Sequence, residues 1–208
     1  MSTVDPHGFP PGFFDRADPS DDAGFYSFTR LVTHIDDHAI AELGTFYTRM
    51  GVSGDVCDLM SSWVSHLTER PRSLTVLGMN AAELDANPMA DTVVVHDLNA
   101  DPALPFDDAA FDDVLCAVSV DYLTRPVEVL ADAARVLRPG GRFIASFSNR
   151  CFPTKAIRGW LHLDDAGRCA LVARYLEATG AYRPATIETL VSPGLGVDPL
   201  YAVWATCR

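Results

Sequence analysis

Between residues 55 and 67 the sequence reads DVCDLMSSWVSHL, an apolar run that carries Asp58 and passes directly into Met60, Ser61 and Ser62. A carboxylate at the carboxyl end of a buried strand is a seat for a cation, and small hydroxyls beside it can donate hydrogen bonds to an anion. A pyrophosphate would need glycines here, so that backbone N–H groups at a helix amino terminus come close enough to touch it. The stretch has none. Further polar residues end other apolar runs: Asn80 in VLGMN, Asp97 and Leu98 in VVVHDLN, Ser119, Asp121 and Tyr122 in CAVSVDY, and Asn149 and Arg150 in SFSNRC. Upstream, FYSFTRLVTHIDDH brings Tyr26, Arg30 and His34 together, and an imidazole has the pKa range of a general base near neutral pH. HIDDH spaces two histidines four apart but lacks the glutamate of H-E-x-x-H and a third ligand, so no metal is expected.

These residues need elements to position them. Strands are expected at 56–60, 74–79, 92–97, 113–119 and 142–148, each apolar at nearly every position, as strands buried on both faces of a parallel sheet are. Helical patterns separate them. Ile40, Leu43, Tyr47 and Met50 share one face of a helix over 36–50, which opens on Asp36 and Asp37 and stops at Gly51. A helix is expected to follow Met60 directly, with Ser61 or Ser62 as its cap. RPVEVLADAARVLRPGG places Pro126 at a helix start and Pro139, Gly140 and Gly141 at its stop. A last helix over 163–179 ends at Gly180, and strand-like runs at 185–191 and 200–206 close the chain as an antiparallel pair. The expected fold is an α/β, Rossmann-like sheet of seven strands, mostly parallel with an antiparallel edge, helices on both faces. Residues 1–34, rich in Pro, Gly and Asp yet carrying Phe9, Phe13 and Phe14, are expected to form an arm or lid over a groove, before a domain at 35–208.

Composition narrows the function. With 208 residues and 48% apolar content the chain can bury one sizeable core. Sixteen basic against 28 acidic residues give a formal charge of −12, which repels a phosphate backbone and disfavours nucleic acid as a partner. No apolar stretch has the length of a membrane span, and no basic-then-apolar leader pattern is seen, so a cytoplasmic protein without a membrane partner is expected. Five cysteines without a C-x-x-C read as reduced, buried thiols.

The order of elements and the residues at the strand ends resemble the class I S-adenosylmethionine-dependent methyltransferases over residues 35–208. The most specific stretch is HDLNADPALPFDDAAFDDVLCAVSVDYLTRPVEVLADAARVLRPGGRFIASFSN, residues 96–149. Leu104, Pro105 and Phe106, then Phe111 and Asp112, fall on the family's approach to the fourth strand, and Arg138 to Gly141 on its RPGG turn. The resemblance implies S-adenosylmethionine as cofactor. It puts Asp58 on the cofactor's ammonium, Met60, Ser61, Ser62 and Ser119 around its methionine and sulfonium, and Asp97 with Leu98 on its adenine. Asn80 stands where the family has a ribose-binding acid, and Met60, Ser62 and Val64 stand where it has the glycines of D-x-G-x-G-x-G. A ligand without phosphate tolerates that loss better than a dinucleotide does. His34, Asp121 and Tyr122 are implied on the reacting side, and Tyr26, Arg30, Asn149 and Arg150 on the substrate or lid side, around a small-molecule acceptor. Trp63 is expected to fill core. Two other readings compete: a methyltransferase-fold protein that binds or regulates without transferring methyl groups, and an NAD(P)-dependent oxidoreductase, weakened by the lack of G-x-G-x-x-G. Oligomeric state is left open.

Overall fold

The computed structural model describes residues 7–208; residues 1–6 of the expected arm lie outside the described residues. Five parallel strands form as the apolar runs dictate: β1 (Asp55–Leu59), β2 (Ser73–Gly78), β3 (Thr92–Val95), β4 (Phe111–Ala117) and β5 (Leu137–Phe147). With β6 (Thr186–Val191) and β7 (Leu200–Thr206) they make one sheet, ordered β3-β2-β1-β4-β5-β7-β6. Only β7 runs against its neighbours, pairing antiparallel with both β5 and β6, so the antiparallel strand lies one place in from the edge.

Because the central strands β1, β2, β4, β5 and β7 are buried on both faces while β3 and β6 at the edges are not, the central side chains feed two cores. Val56, Leu74, Val76, Leu115 and Ile144 pack with Leu43, Phe46 and Tyr47 of α2 (Asp37–Arg49). Cys57, Leu59, Val114, Phe143 and Val203 pack on the other face with α4 (Pro126–Val136) and α6 (Asp165–Thr179). The two longest helices are capped as their sequences require. Asp36 caps α2 by accepting from Ala39 N, and Gly180 ends α6 in the left-handed conformation at φ +68°, where glycine pays no steric penalty. The remaining helices are one-turn α1 (Asp22–Phe25), α3 (Ala81–Asp85) and α5 (Arg158–Leu161).

The expected helix after β1 does not form. Residues 60–72 run as an irregular loop, and Ser61 and Ser62 cap nothing. Ser61 instead closes against β2: its N–H bonds Leu77 O at 2.8 Å, and its carbonyl oxygen lies 2.3 Å from where a Cβ on Gly78 would stand. Only glycine fits at 78. The arm also departs from expectation at its start. Phe9, Phe13 and Phe14 do not cover the groove; they stack on one another and on Tyr175 of α6, with Phe9–Tyr175 centroids 5.7 Å apart. Apolar burial on the sheet's α6 side removes more of the three rings from water than a polar groove mouth would.

Further along the arm, a buried ionic cluster fastens it to the sheet. Asp22, 3% exposed, accepts from Arg16 at 2.6 and 2.8 Å and from Asn99 Nδ2 at 2.9 Å, and its carboxylate lies 3.1 Å from the ammonium of Lys155, the chain's one lysine, which is fully buried. Burial raises the Asp22 pKa, but Arg16, Asn99 and Lys155 outweigh it and hold the carboxyl below its ordinary value. The stability this gives is present at neutral pH and is lost as pH falls through the lowered pKa. Removing one partner of a buried pair leaves an uncompensated charge, so Asp22→Ala is expected to cost about 3–5 kcal/mol. Thermal unfolding followed by circular dichroism should show a melting midpoint lower by roughly 6–20 °C. Arg49→Ala, which breaks the exposed pair with Glu188, should change stability by less than about 0.5 kcal/mol.

Candidate functional site

The sheet reverses its winding direction between β1 and β4, and the crevice at the carboxyl ends of these strands is where open α/β sheets bind ligands. A cavity open to solvent lies there. Its walls come from the ends of β1, β2, β3 and β4 and from the strap of residues 22–34. The strap is tied across by three hydrogen bonds: Asn80 Nδ2 to Tyr26 O at 2.9 Å, Arg30 N to Glu83 Oε1 at 2.7 Å, and Trp63 Nε1 to Val32 O at 3.0 Å.

Most residues expected at the site line this cavity: Tyr26, Arg30, His34, Asp58, Met60, Ser61, Ser62, Asn80, Asp97, Leu98, Ser119 and Tyr122. Three do not. Asp121 is buried outside the lining, its backbone oxygen accepting from Ile157 N at 3.0 Å, because the 3-10 turn Val120–Tyr122 directs Tyr122 to the cavity in its place. Asn149 and Arg150 are exposed beyond the lining, with Arg150 3.8 Å from Asp198, where the chain leaving β5 turns toward solvent. Trp63 is not core; it lines the cavity and holds the strap.

Asp58 is the most constrained group. It is 2% exposed, its Oδ2 accepts from Ser61 Oγ at 2.6 Å, and its Oδ1 is buried without a partner. Burial pushes its pKa up to about 6, against the lowering effect of the Ser61 and Ser65 hydroxyls. Burial likewise lowers the pKa of His34, with help from Arg30 and against Glu83, so that ring is neutral at physiological pH. Its ring packs edge-to-face with Phe152, 5.3 Å between centroids, and Phe152 in turn meets Tyr122 at 6.0 Å and Phe25 at 5.4 Å. One end of the cavity is therefore ionic and the other aromatic.

Asn80 caps α3, accepting from Glu83 N at 3.2 Å, so its oxygen and its nitrogen both have protein partners. Glu83, one turn on, is a lining residue that sequence reasoning missed; besides Arg30 N it accepts from Ser62 Oγ at 2.7 Å. Its signal is the spacing N-x-x-E at a helix start, which resembles a capping box. Asp97 Oδ1 accepts from Asn99 N at 2.9 Å and Ala100 N at 3.2 Å, shaping the turn after β3. His66 and Val118 were missed as well, and nothing in the local pattern marks them. Among the described residues four non-glycine residues have left-handed backbone, and three of them line the cavity: Met60 (φ 52°), His66 (φ 56°) and Val118 (φ 47°). Backbone strain gathers at functional sites, where the surrounding structure holds it in place.

Residues 51–145 match the methyltransferase domain family. No curated protein matches the chain. Among solved structures, the complex of the Haloferax volcanii Trm112 methyltransferase activator with its candidate methyltransferase is similar at TM-score 0.63 and 16% identity, over 83% of this chain and 91% of that one. Burkholderia thailandensis 1,6-didemethyltoxoflavin-N1-methyltransferase, bound to 1,6-didemethyltoxoflavin and S-adenosylhomocysteine, is similar at TM-score 0.61 and 17% identity, over 83% and 80% of the two chains. The [4+2]-cyclase SpnF is similar at TM-score 0.59 and 13% identity, over 86% and 89%. At these identities the structures speak for the fold, and the family match speaks for the domain. Over residues 51–145 the chain is thus similar to the methyltransferase domain family, in a fold that it shares with these solved structures.

Proposed function

We propose that this protein binds S-adenosylmethionine in the cavity above β1 and β4 and transfers its methyl group to a small-molecule acceptor. The observation that carries the reading is Asp58: a buried carboxylate with one unpartnered oxygen, in a cavity wall, is satisfied by a ligand ammonium. Such a charge-assisted contact is worth about 1.5–3 kcal/mol. The residues present fit the group. Asp58 would hold the ammonium, Asp97 and Leu98 would flank the adenine, and Ser119 would stand near the sulfonium. When bound, the cofactor supplies an electrophilic methyl group for in-line displacement, where alignment provides much of the acceleration.

The chain's own part is positioning and proton management. His34, neutral and facing Phe152, is the candidate base for the acceptor's proton, and Tyr122 is held by Phe152 N donating to its hydroxyl at 2.9 Å. Tyr26, Tyr122, His34 and Phe152 make an aromatic wall that favours a compact, flat acceptor. We assign residues 22–34 as the lid, since they cross the cavity on hydrogen bonds to Trp63, Asn80 and Glu83. Asp121, Asn149 and Arg150 hold no place in this mechanism. One observation favours the reading without methyl transfer: both polar atoms of Asn80 are already bonded, and a ribose must do without the usual acid or displace the strap.

Thermal-shift series separate these readings. S-adenosylmethionine or S-adenosylhomocysteine at a hundred times its dissociation constant stabilises by about 2.7 kcal/mol and should raise the melting midpoint by roughly 5–10 °C, whereas NAD and NADP should not. Absence of any response to the sulfur nucleosides up to millimolar concentration would overturn the proposal; binding without methylation of any acceptor in labelled-donor assays of cell extract would favour the second reading. Asp58→Ala should weaken S-adenosylhomocysteine binding at least tenfold by calorimetry, with unchanged circular dichroism. Affinity should also climb as pH rises through about 6, because Asp58 must lose its proton to pair with the ammonium, and this step should vanish in Asp58→Asn.

A further inference from the structure

The loop at 60–72 holds a second polar group that the fold alone does not explain. His66 is 8% exposed and lines the cavity, and its Nδ1 is buried without a hydrogen-bond partner. Its φ of 56° puts an ordinary L-residue in the left-handed region that glycine favours. A residue that is buried, strained and unsatisfied at once is more costly to the free protein than glycine or asparagine would be at this place. Burial, with His34 nearby, pushes its pKa down to about 4, so the ring is neutral at physiological pH and carries one lone pair free to accept.

Asp58 Oδ1, in the same cavity, is the other buried lining atom without a partner among the described residues. Ser61, Ser62, Asn80 and Glu83 are already committed to protein partners. In the His66 tautomer that carries its proton on Nε2, Nδ1 and Asp58 Oδ1 are two acceptors that lack donors, on one loop and the strand end that leads into it, and they call for a ligand group carrying several N–H donors. An ammonium is such a group, while a hydroxyl offers one donor only. This rests on the cofactor reading above and extends it.

We infer that His66 is a binding residue for the amino-acid head of the cofactor, its imidazole Nδ1 accepting from the ammonium alongside Asp58. A side-chain acceptor thereby stands in for contacts that a loop without glycines cannot make with its backbone. The positive φ is then what turns residue 66 toward the ligand, and the retained histidine is explained by binding.

Calorimetric titration of the full chain with three probes tests this: S-adenosylhomocysteine, decarboxylated S-adenosylmethionine, which keeps the ammonium but lacks the carboxylate, and 5′-deoxy-5′-methylthioadenosine, which lacks both. His66→Gly keeps the backbone conformation and removes the ring; His66→Asn, also tolerant of positive φ, serves if the glycine variant fails to fold by circular dichroism. The expected result is an affinity loss of about tenfold or more for the first two probes and less than twofold for the third. Equal losses for all three, or no loss, would overturn the inference, as would a loss confined to S-adenosylhomocysteine, which would move the contact to the carboxylate. Wild-type protein that binds none of the probes would instead overturn the cofactor reading, and the wild-type titration alone distinguishes that failure from the others.

Discussion

A carboxylate buried in the sheet with one oxygen unpaired is the constraint around which this molecule is arranged. Asp58 belongs to β1, whose neighbours β2 and β4 pair with it in register through Val76 and Leu115, so the acid cannot move to water without unmaking the centre of the sheet. Its burial raises its pKa, and the Ser61 hydroxyl offsets only part of the cost. What remains is an acceptor set in a cavity, and it selects for positive charge. The free protein bears that cost, which a bound cation would remove.

The elements around Asp58 serve to keep that geometry. Gly78 lets the Ser61 carbonyl come against β2, which turns the chain sharply out of β1 and sets Met60 at positive φ. Val118 carries similar strain at the top of β4, where its N–H bonds Ser146 O at 2.7 Å. On the open side, the strap is anchored by the cluster of Arg16, Asp22, Asn99 and Lys155, and Asn99 extends the cluster by donating to Tyr122 O at 3.0 Å. The strap, the turn after β3 and the turn after β4 are thus joined through a single buried aspartate. A substitution there reaches the site through several paths at once.

All seven strands and the long helices were legible in the sequence, because continuous apolar runs and helical periodicity report burial directly. Asp58, Asp97 and Ser119 were legible for the same reason: each ends such a run. The missing helix after β1 was not, since WVSHL has an amphipathic look that the tight Ser61–Gly78 contact overrides. Phe9, Phe13 and Phe14 reveal that they need burial without revealing against what, and Tyr175 is far from them in sequence. Asp121 and Tyr122 are adjacent, so which of them faces the cavity depends on one 3-10 turn. His66 could not be found by pattern, because its significance lies in a φ angle and an unpaired nitrogen.

The central claim concerns the protonation of one group, and carbon-13 NMR of the Asp58 side-chain carboxyl observes it directly. Titrated in the free protein, that resonance should report a pKa raised to about 6. With saturating S-adenosylhomocysteine, the ammonium should draw it well below that value, so that Asp58 stays ionised across the range in which the free protein titrates. A carboxyl whose titration is the same with and without the nucleoside would contradict the account, since no cation would then be paired with it.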